Sequence, residues 1–143
     1  MNSIIPKNGL KDWAAVTFVL GPNGQTVLIL DQGKKSPRWK LPGGKRSGDE
    51  SPQETAQREL KEETGIDVDL ENLFLHKEID KKIHSSPHTM FVFVADVDNF
   101  DGLLRIGDEG EYVAQFDLDR IPTMRDFFPH HLLHIKDLFA QAK

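Results

Sequence analysis

The sequence predicts an α/β fold in which a mixed β-sheet lies between helical layers. Three observations carry this. Apolar, β-rich segments recur on both sides of one amphipathic helix, that helix has start and stop signals at both ends, and a second helical pattern closes the chain. With 143 residues the chain reads as one domain, 1–143, able to bury roughly 70% of its unfolded surface without disulfide or metal staples.

The elements follow in chain order. Trp13–Leu20 is apolar and reads as a buried strand, Gly21-Pro22-Asn23-Gly24 as a turn, and Thr26–Leu30 as a second strand, so a hairpin is expected. Asp31–Lys45 is polar and rich in Gly and Pro, which reads as a loop containing the short segment Trp39–Leu41. Ser51-Pro52-Gln53-Glu54 has the capping-box form, with Ser51 as N-cap and Glu54 reaching back. Helix formers continue to Thr64, and Gly65 suits the left-handed position after a helix, so a helix is placed at Pro52–Thr64. Ile66–Leu75 alternates in part and is read as a strand kinked near Glu71-Asn72. Lys81–Thr89 is read as a loop beside the site, Met90–Val97 as a strand, Gly102–Gly110 as a loop and Tyr112–Phe116 as a short strand. Leu118–Ile121 is read as a helical turn, and Pro129 opens the final helix.

Composition narrows the function classes. The absence of cysteine excludes disulfides and thiolate metal sites, so any metal must sit on oxygen or imidazole. A formal net charge of -5 argues against a general nucleic-acid binder. Met1–Lys11 lacks the apolar run of a signal peptide, and no stretch approaches the roughly 20 apolar residues of a membrane span, so the cytoplasm is the expected location. A homodimer is left open.

The chemistry concentrates on the first helix. At about 100° per residue, Glu59, Glu62 and Glu63 fall within roughly 100° of arc, beside Ala56 and Leu60, which should face the core. Glu59 and Glu63 are also a like-charge i,i+4 pair, mildly destabilising on a bare helix. A divalent cation on oxygen ligands would remove that repulsion, and Mg²⁺ or Mn²⁺ suits such a set. From the helix alone, a solvated acidic face with Arg58 and Lys61 as partners is an equal alternative. Just upstream, Leu41-Pro42-Gly43-Gly44-Lys45 supplies two glycines that let backbone groups approach a ligand, which makes Gly43 and Gly44 candidate substrate contacts.

Gly44 to Ile66 resembles a complete Nudix box. Gly44 is followed by five residues and Glu50, then seven residues and Arg58-Glu59-Leu60, then Lys61, Glu62-Glu63, Thr64, Gly65 and Ile66. The resemblance implies an α/β/α sandwich with the box as loop–helix–loop, and hydrolysis of the diphosphate linkage of a nucleoside diphosphate derivative or nucleoside triphosphate. It implies Mg²⁺ or Mn²⁺ held by Glu59, Glu62 and Glu63, with the carbonyl of Gly43 as a further ligand. Arg58 would orient the box carboxylates, and Glu50 would help organise the site. The general base would be Glu59 or a carboxylate outside the box, Glu109 or Glu111, with Glu109 preferred; an acidic polar turn is the alternative for that pair. Lys34, Lys35, Arg38 and Lys40 could meet substrate phosphates, with Arg38 and Lys40 the stronger pair and a solvated basic loop the equal alternative for most of them, whereas Trp39 is expected in the core.

The remaining readings are bland. His130 and His134 have zinc-compatible i,i+4 spacing but no surrounding zinc-protease motif, and His84 and His88 are expected on an exposed loop. No tyrosine lies in Leu73–Thr89, the proline of the ADP-ribose subgroup is missing, and the NADH-type Ser-Gln-Pro-Trp run is absent, so none of these substrate subgroups is marked. A catalytically silent nucleotide-binding module of the same fold is the alternative function, weakened because the box carboxylates are intact. An acidic Ca²⁺-binding protein is a third reading, but no EF-hand loop is present.

Overall fold

The computed structural model describes residue 4 and residues 12–30, 35–83 and 86–141. The expectations on the Met1–Lys11 leader, on Lys34 and on His84 fall wholly or largely outside the described residues.

Among the described residues seven strands form two sheets. These are β1 (Trp13–Leu20), β2 (Gln25–Leu30), β3 (Trp39–Lys40), β4 (Gly43–Lys45), β5 (Leu73–Ile83), β6 (Ser86–Asp96) and β7 (Tyr112–Asp117). One sheet runs β4-β1-β6-β5 and the other β3-β2-β7. The β1–β6 pair is parallel, with Val16 opposite Val92, and the other pairs are antiparallel, so the larger sheet is mixed as expected. The helices are α1 (Pro52–Thr64) and α2 (Pro129–Gln141).

Alternation along the strands divides the interior in two. Trp13, Ala15 and Val19 of β1, with Phe91, Phe93 and Ala95 of β6, pack with Ala56 and Leu60 of α1. Val16 and Phe18 of β1, with Met90 and Val92 of β6, pack with Ile135 of α2. Strands covered by helices on both faces read as continuous apolar runs, which is why β1 shows no in–out pattern in the sequence.

Four readings are corrected. First, β1 and β2 do not form a hairpin. Both edges of β1 are taken, by β4 and β6, and a 3₁₀ turn at Pro22–Gly24, with Asn23 at φ 60°, carries the chain into the second sheet. Second, Gly43–Lys45 is a strand rather than loop, because residues without side chains can lie flat against Ala15 and Val16. Third, residues 66–69 are not strand. Ile66 and Val68 are buried while Asp67 and Asp69 are exposed, which mimics strand alternation, but the Val68 carbonyl accepts from the Gln57 side chain and a 3₁₀ turn at Leu70–Asn72 precedes β5. Fourth, residues 81–83 and 86–89 continue β5 and β6, with Lys81 opposite His88, so His88 lies on a strand.

Candidate functional site

The site is built where α1 crosses β4. Ser51 accepts the Glu54 N–H while Glu54 accepts the Ser51 N–H, a complete capping box, and Gly65 ends the helix in the left-handed conformation at φ 81°. Ala56 and Leu60, at 1% and 0% exposure, pin the helix to the sheet, and this sets which way its acids turn. At Gly43 the approach to the backbone of β1 is close enough to require glycine. A Cβ on Gly43 would overlap the Ala15 carbonyl oxygen, and one on Gly44 would lie 2.6 Å from the Glu59 carboxyl carbon.

Arg58 organises the outer end. Its Nε donates to Glu50 at 2.6 Å, and its Nη1 donates to Glu59 at 2.8 Å and to Glu62 at 3.1 Å. Its Nη2 reaches Glu50 and the Lys45 carbonyl at 3.1 and 3.0 Å. Burial alone would raise the Glu50 carboxyl, but hydrogen bonds from Arg58, the Ser47 backbone and Thr55 hold it below the ordinary carboxylate value. Bonds to Glu50, then to Glu59, hold the guanidinium more firmly protonated than usual against its own partial burial.

Among the described residues no cation is bonded to the inner end. Glu63, 7% exposed, accepts the Gly43 N–H at 2.6 Å. Burial pushes its carboxyl up to about 9, the Gly43 bond opposes this, and the neighbouring Glu59 and Glu111 carboxyls raise it further. Glu111 therefore lies close enough to Glu63 to act on its carboxyl. Glu59 is also raised, by burial first, with Arg58 opposing and the charges of Glu62 and Glu109 adding.

Glu109 and Glu111 reach the site because their loop docks on the end of α1. The Leu104 and Asp108 N–H groups cap the Thr64 and Glu62 carbonyls at 2.8 and 3.0 Å. Gly107 allows this: a Cβ there would stand 2.6 Å from the Glu63 carbonyl oxygen. Glu111 is buried and accepts the Glu109 N–H at 3.1 Å. A polar cleft of about 410 Å³ opens between these groups, lined by Lys40, Lys45, Arg58, Glu59, Glu63, Glu109 and Glu111 together with Gly43, Gly44 and Ser47.

Of the predicted residues, Lys40, Gly43, Gly44, Arg58, Glu59, Glu63, Glu109 and Glu111 line this cleft. Glu62 stands beside it on Arg58, with its side chain 41% exposed. Arg38 and Lys35 are exposed and do not line it. Trp39 packs edge-on against Phe116, ring centroids 4.8 Å apart, in the core as expected. Lys45, Ser47 and Gly107 were not singled out from the sequence. Lys45 and Ser47 sit within the box spacing, whereas Gly107 carried no signal beyond being a loop glycine. Among the described residues no group of acids and histidines converges as a ready-made metal cage, since Arg58 holds Glu59 and Glu62 while Glu63 turns to Gly43.

The sequence profile of the NUDIX domain matches residues 10–137. The chain belongs to the Nudix family. A Bacillus subtilis relative carrying the name ADP-ribose pyrophosphatase YjhB is 33% identical over 104 residues, covering 70% of this chain and 49% of that protein. The chain therefore spans about half the length of that curated relative. Solved structures agree on the fold. A MutT/nudix family protein from Enterococcus faecalis superposes with a TM-score of 0.65 at 23% identity, covering 80% of this chain and 46% of that one. A NUDIX hydrolase from Nitrosomonas europaea gives 0.71 at 19% identity, covering 91% and 89%. The E. coli ORF135 protein gives 0.70 at 16% identity, covering 96% and 95%. In this Nudix chain the box supplies Gly44 and Lys45 of β4 and all of α1, while Gly43, Glu109 and Glu111 arrive from outside it.

Proposed function

We propose that this chain is a pyrophosphohydrolase that cleaves the phosphoanhydride linkage of a nucleoside diphosphate derivative or nucleoside triphosphate by attack of water at phosphorus, with residues 1–143 acting as one domain. The observation that carries the reading is the pairing of a glycine-lined strand with a carboxylate cluster whose inner member, Glu63, bonds a backbone N–H and no cation among the described bonds.

A divalent ion fits this donor set. Glu59, Glu62 and Glu63 offer only hard oxygen, neighbouring carboxylates add to the burial that raises Glu59 and Glu63, and Arg58 makes no bond to Glu63 or Glu111 among those described. Those three glutamates and the Gly43 carbonyl would hold Mg²⁺ or Mn²⁺. When bound, the ion supplies charge neutralisation at the diphosphate and a more acidic water. The chain's own residues do the rest. Arg58 keeps Glu59 and Glu62 oriented and Glu50 anchored to the Ser47 turn. Lys40 and Lys45 place positive charge on the cleft wall where phosphate oxygens would lie, and the absence of side chains at Gly43 and Gly44 leaves room for them. The proton of the attacking water goes to Glu59, Glu109 or Glu111, all of which line the cleft.

The name of the Bacillus subtilis relative puts ADP-ribose among the substrates to be tried, although the proline expected of that subgroup is missing here. No helix among the described residues is long and apolar enough to cross a membrane, and a cytoplasmic small-molecule enzyme, monomeric or homodimeric, is the proposed setting. The test is phosphate release from nucleoside triphosphates, nucleotide sugars and ADP-ribose with Mg²⁺, Mn²⁺ or chelator. Metal-dependent turnover of at least one diphosphate substrate is expected. No turnover with either metal would leave the silent binding module. Among Glu59→Gln, Glu109→Gln and Glu111→Gln, the variant that removes the basic limb of the pH–rate dependence identifies the proton acceptor.

A further inference from the structure

The terminal helix carries three histidines for which the proposed reaction has no use. One of them, His131, is 6% exposed, and its Nδ1 accepts the backbone N–H of Leu41 at 3.1 Å from 90 residues away. Leu41 is 1% exposed and sits between β3 and β4, where its N–H meets this side chain instead of a neighbouring strand. A buried N–H left unmet is destabilising, so the bond has a direct structural reason. Its consequence lies two residues further on.

Three successive residues are held by three different elements. His131 of α2 takes the Leu41 N–H, Thr17 of β1 donates its N–H to the Pro42 carbonyl at 2.9 Å, and Glu63 of α1 takes the Gly43 N–H at 2.6 Å. Upstream the same segment is zipped to the approach to α2: Trp39 N–H donates to the Asp126 carbonyl at 2.7 Å, and Phe128 N–H to the Trp39 carbonyl at 2.8 Å. His131 is itself fixed, its ring edge-on to Phe128 at 4.9 Å between centroids. Pro42 fixes its own φ between the Leu41 and Gly43 peptide planes, so a displacement released at Leu41 meets few free torsions before Gly43. Gly43 already lies against the Ala15 carbonyl and has little room to absorb it.

We propose that His131 is a positioning residue for the cleft: by accepting the Leu41 N–H it sets the orientation of Leu41-Pro42-Gly43, and through it the Gly43 N–H on Glu63. The ring nitrogen facing Leu41 must carry its lone pair, so in the neutral ring the proton resides on Nε2. The consequence for turnover rests on the hydrolase reading; the consequence for Gly43 does not.

The test compares His131→Leu, which keeps apolar bulk and removes the acceptor, with His131→Asn, whose amide oxygen replaces Nδ1 as acceptor. The readouts are the Gly43 amide resonance of the metal-free protein, Mn²⁺ affinity by titration, and kcat and KM. In His131→Leu the Gly43 resonance is expected to shift, Mn²⁺ affinity to fall roughly tenfold, and kcat to fall with KM little changed. His131→Asn is expected to restore all three toward the wild-type values. A folded His131→Leu with wild-type Gly43 resonance and Mn²⁺ affinity overturns the proposal, as does an Asn variant that displaces Gly43 as far as Leu does. Should His131→Leu not fold, His131→Phe, which keeps a ring against Phe128, replaces it under the same outcomes. If the wild-type protein turns over no substrate, the Gly43 and Mn²⁺ readouts still decide this inference, and the hydrolase reading fails separately.

Discussion

At the outer end of the cleft Glu50 is held below the ordinary carboxylate value, whereas at the inner end Glu63 is pushed up to about 9. Glu63 is the more deeply buried of the two, and burial is the first cause of its rise, but the ends also differ in what opposes burial. The outer end has Arg58, a planar donor whose fork reaches Glu50, Glu59 and Glu62 at once. The inner end has one backbone N–H and two more carboxyls. Where the chain supplies its own cation, Arg58, the acids are held in one hydrogen-bonded fork, Glu59 and Glu62 among them. At Glu63 a backbone N–H stands in that place, and the proposed function would add a metal ion there.

The largest expected effect breaks the inner end. Glu63→Gln should lower kcat/KM by at least about 100-fold, since bound metal supplies several kcal/mol of charge stabilisation. It should leave the metal-free unfolding midpoint unchanged or higher, because an amide needs no counter-charge. A near-normal rate would remove Glu63 from the metal set. The outer end should respond in the opposite sense. Arg58→Ala should cost about 2 kcal/mol in urea unfolding with chelator present, because it strands three carboxylates. Arg58→Lys should recover little of that, as an ammonium cannot fork; full recovery would show that charge alone matters there.

Gly44→Ala probes the seam between the two ends. The new Cβ meets the movable end of Glu59, not backbone, so the fold should survive with a change within about 1 kcal/mol. Turnover should nonetheless drop roughly 10- to 100-fold from misplacement of that carboxyl. Equal losses of stability and activity would argue against this division.

The last expected effect is the pH dependence of the metal-free chain. The folded value of Glu63, about 9, lies above its unfolded value near 4.5, so its contribution is present below pH 4.5 and is lost as pH rises toward 9. Glu50 runs the other way: its contribution is present above pH 4.5 and lost as pH falls through its lowered folded value. Urea midpoints with chelator should therefore decline from pH 4.5 to 9, and Glu63→Gln should flatten that decline. A flat wild-type curve would contradict the assignment of charge to the inner end.

Much of this was legible without coordinates. The helix from Pro52 to Thr64, its capping box, its left-handed Gly65 and the shared arc of its glutamates rest on contacts three or four residues apart, which spacing alone specifies. The box spacing likewise pointed to Glu50, Arg58 and the glycines. The tertiary structure alone decided which edges β1 offers, so that the expected hairpin opened into two sheets, and that residues 66–69 alternate in burial without a strand partner. It also decided that Gly107 lets a distant loop bring Glu111 onto Glu63, that Gly43 meets Glu63 across 20 residues, and that His131 reaches Leu41 across 90. Such contacts depend on which surfaces the packed helices close, and closure is a property of the whole fold that local spacing does not encode.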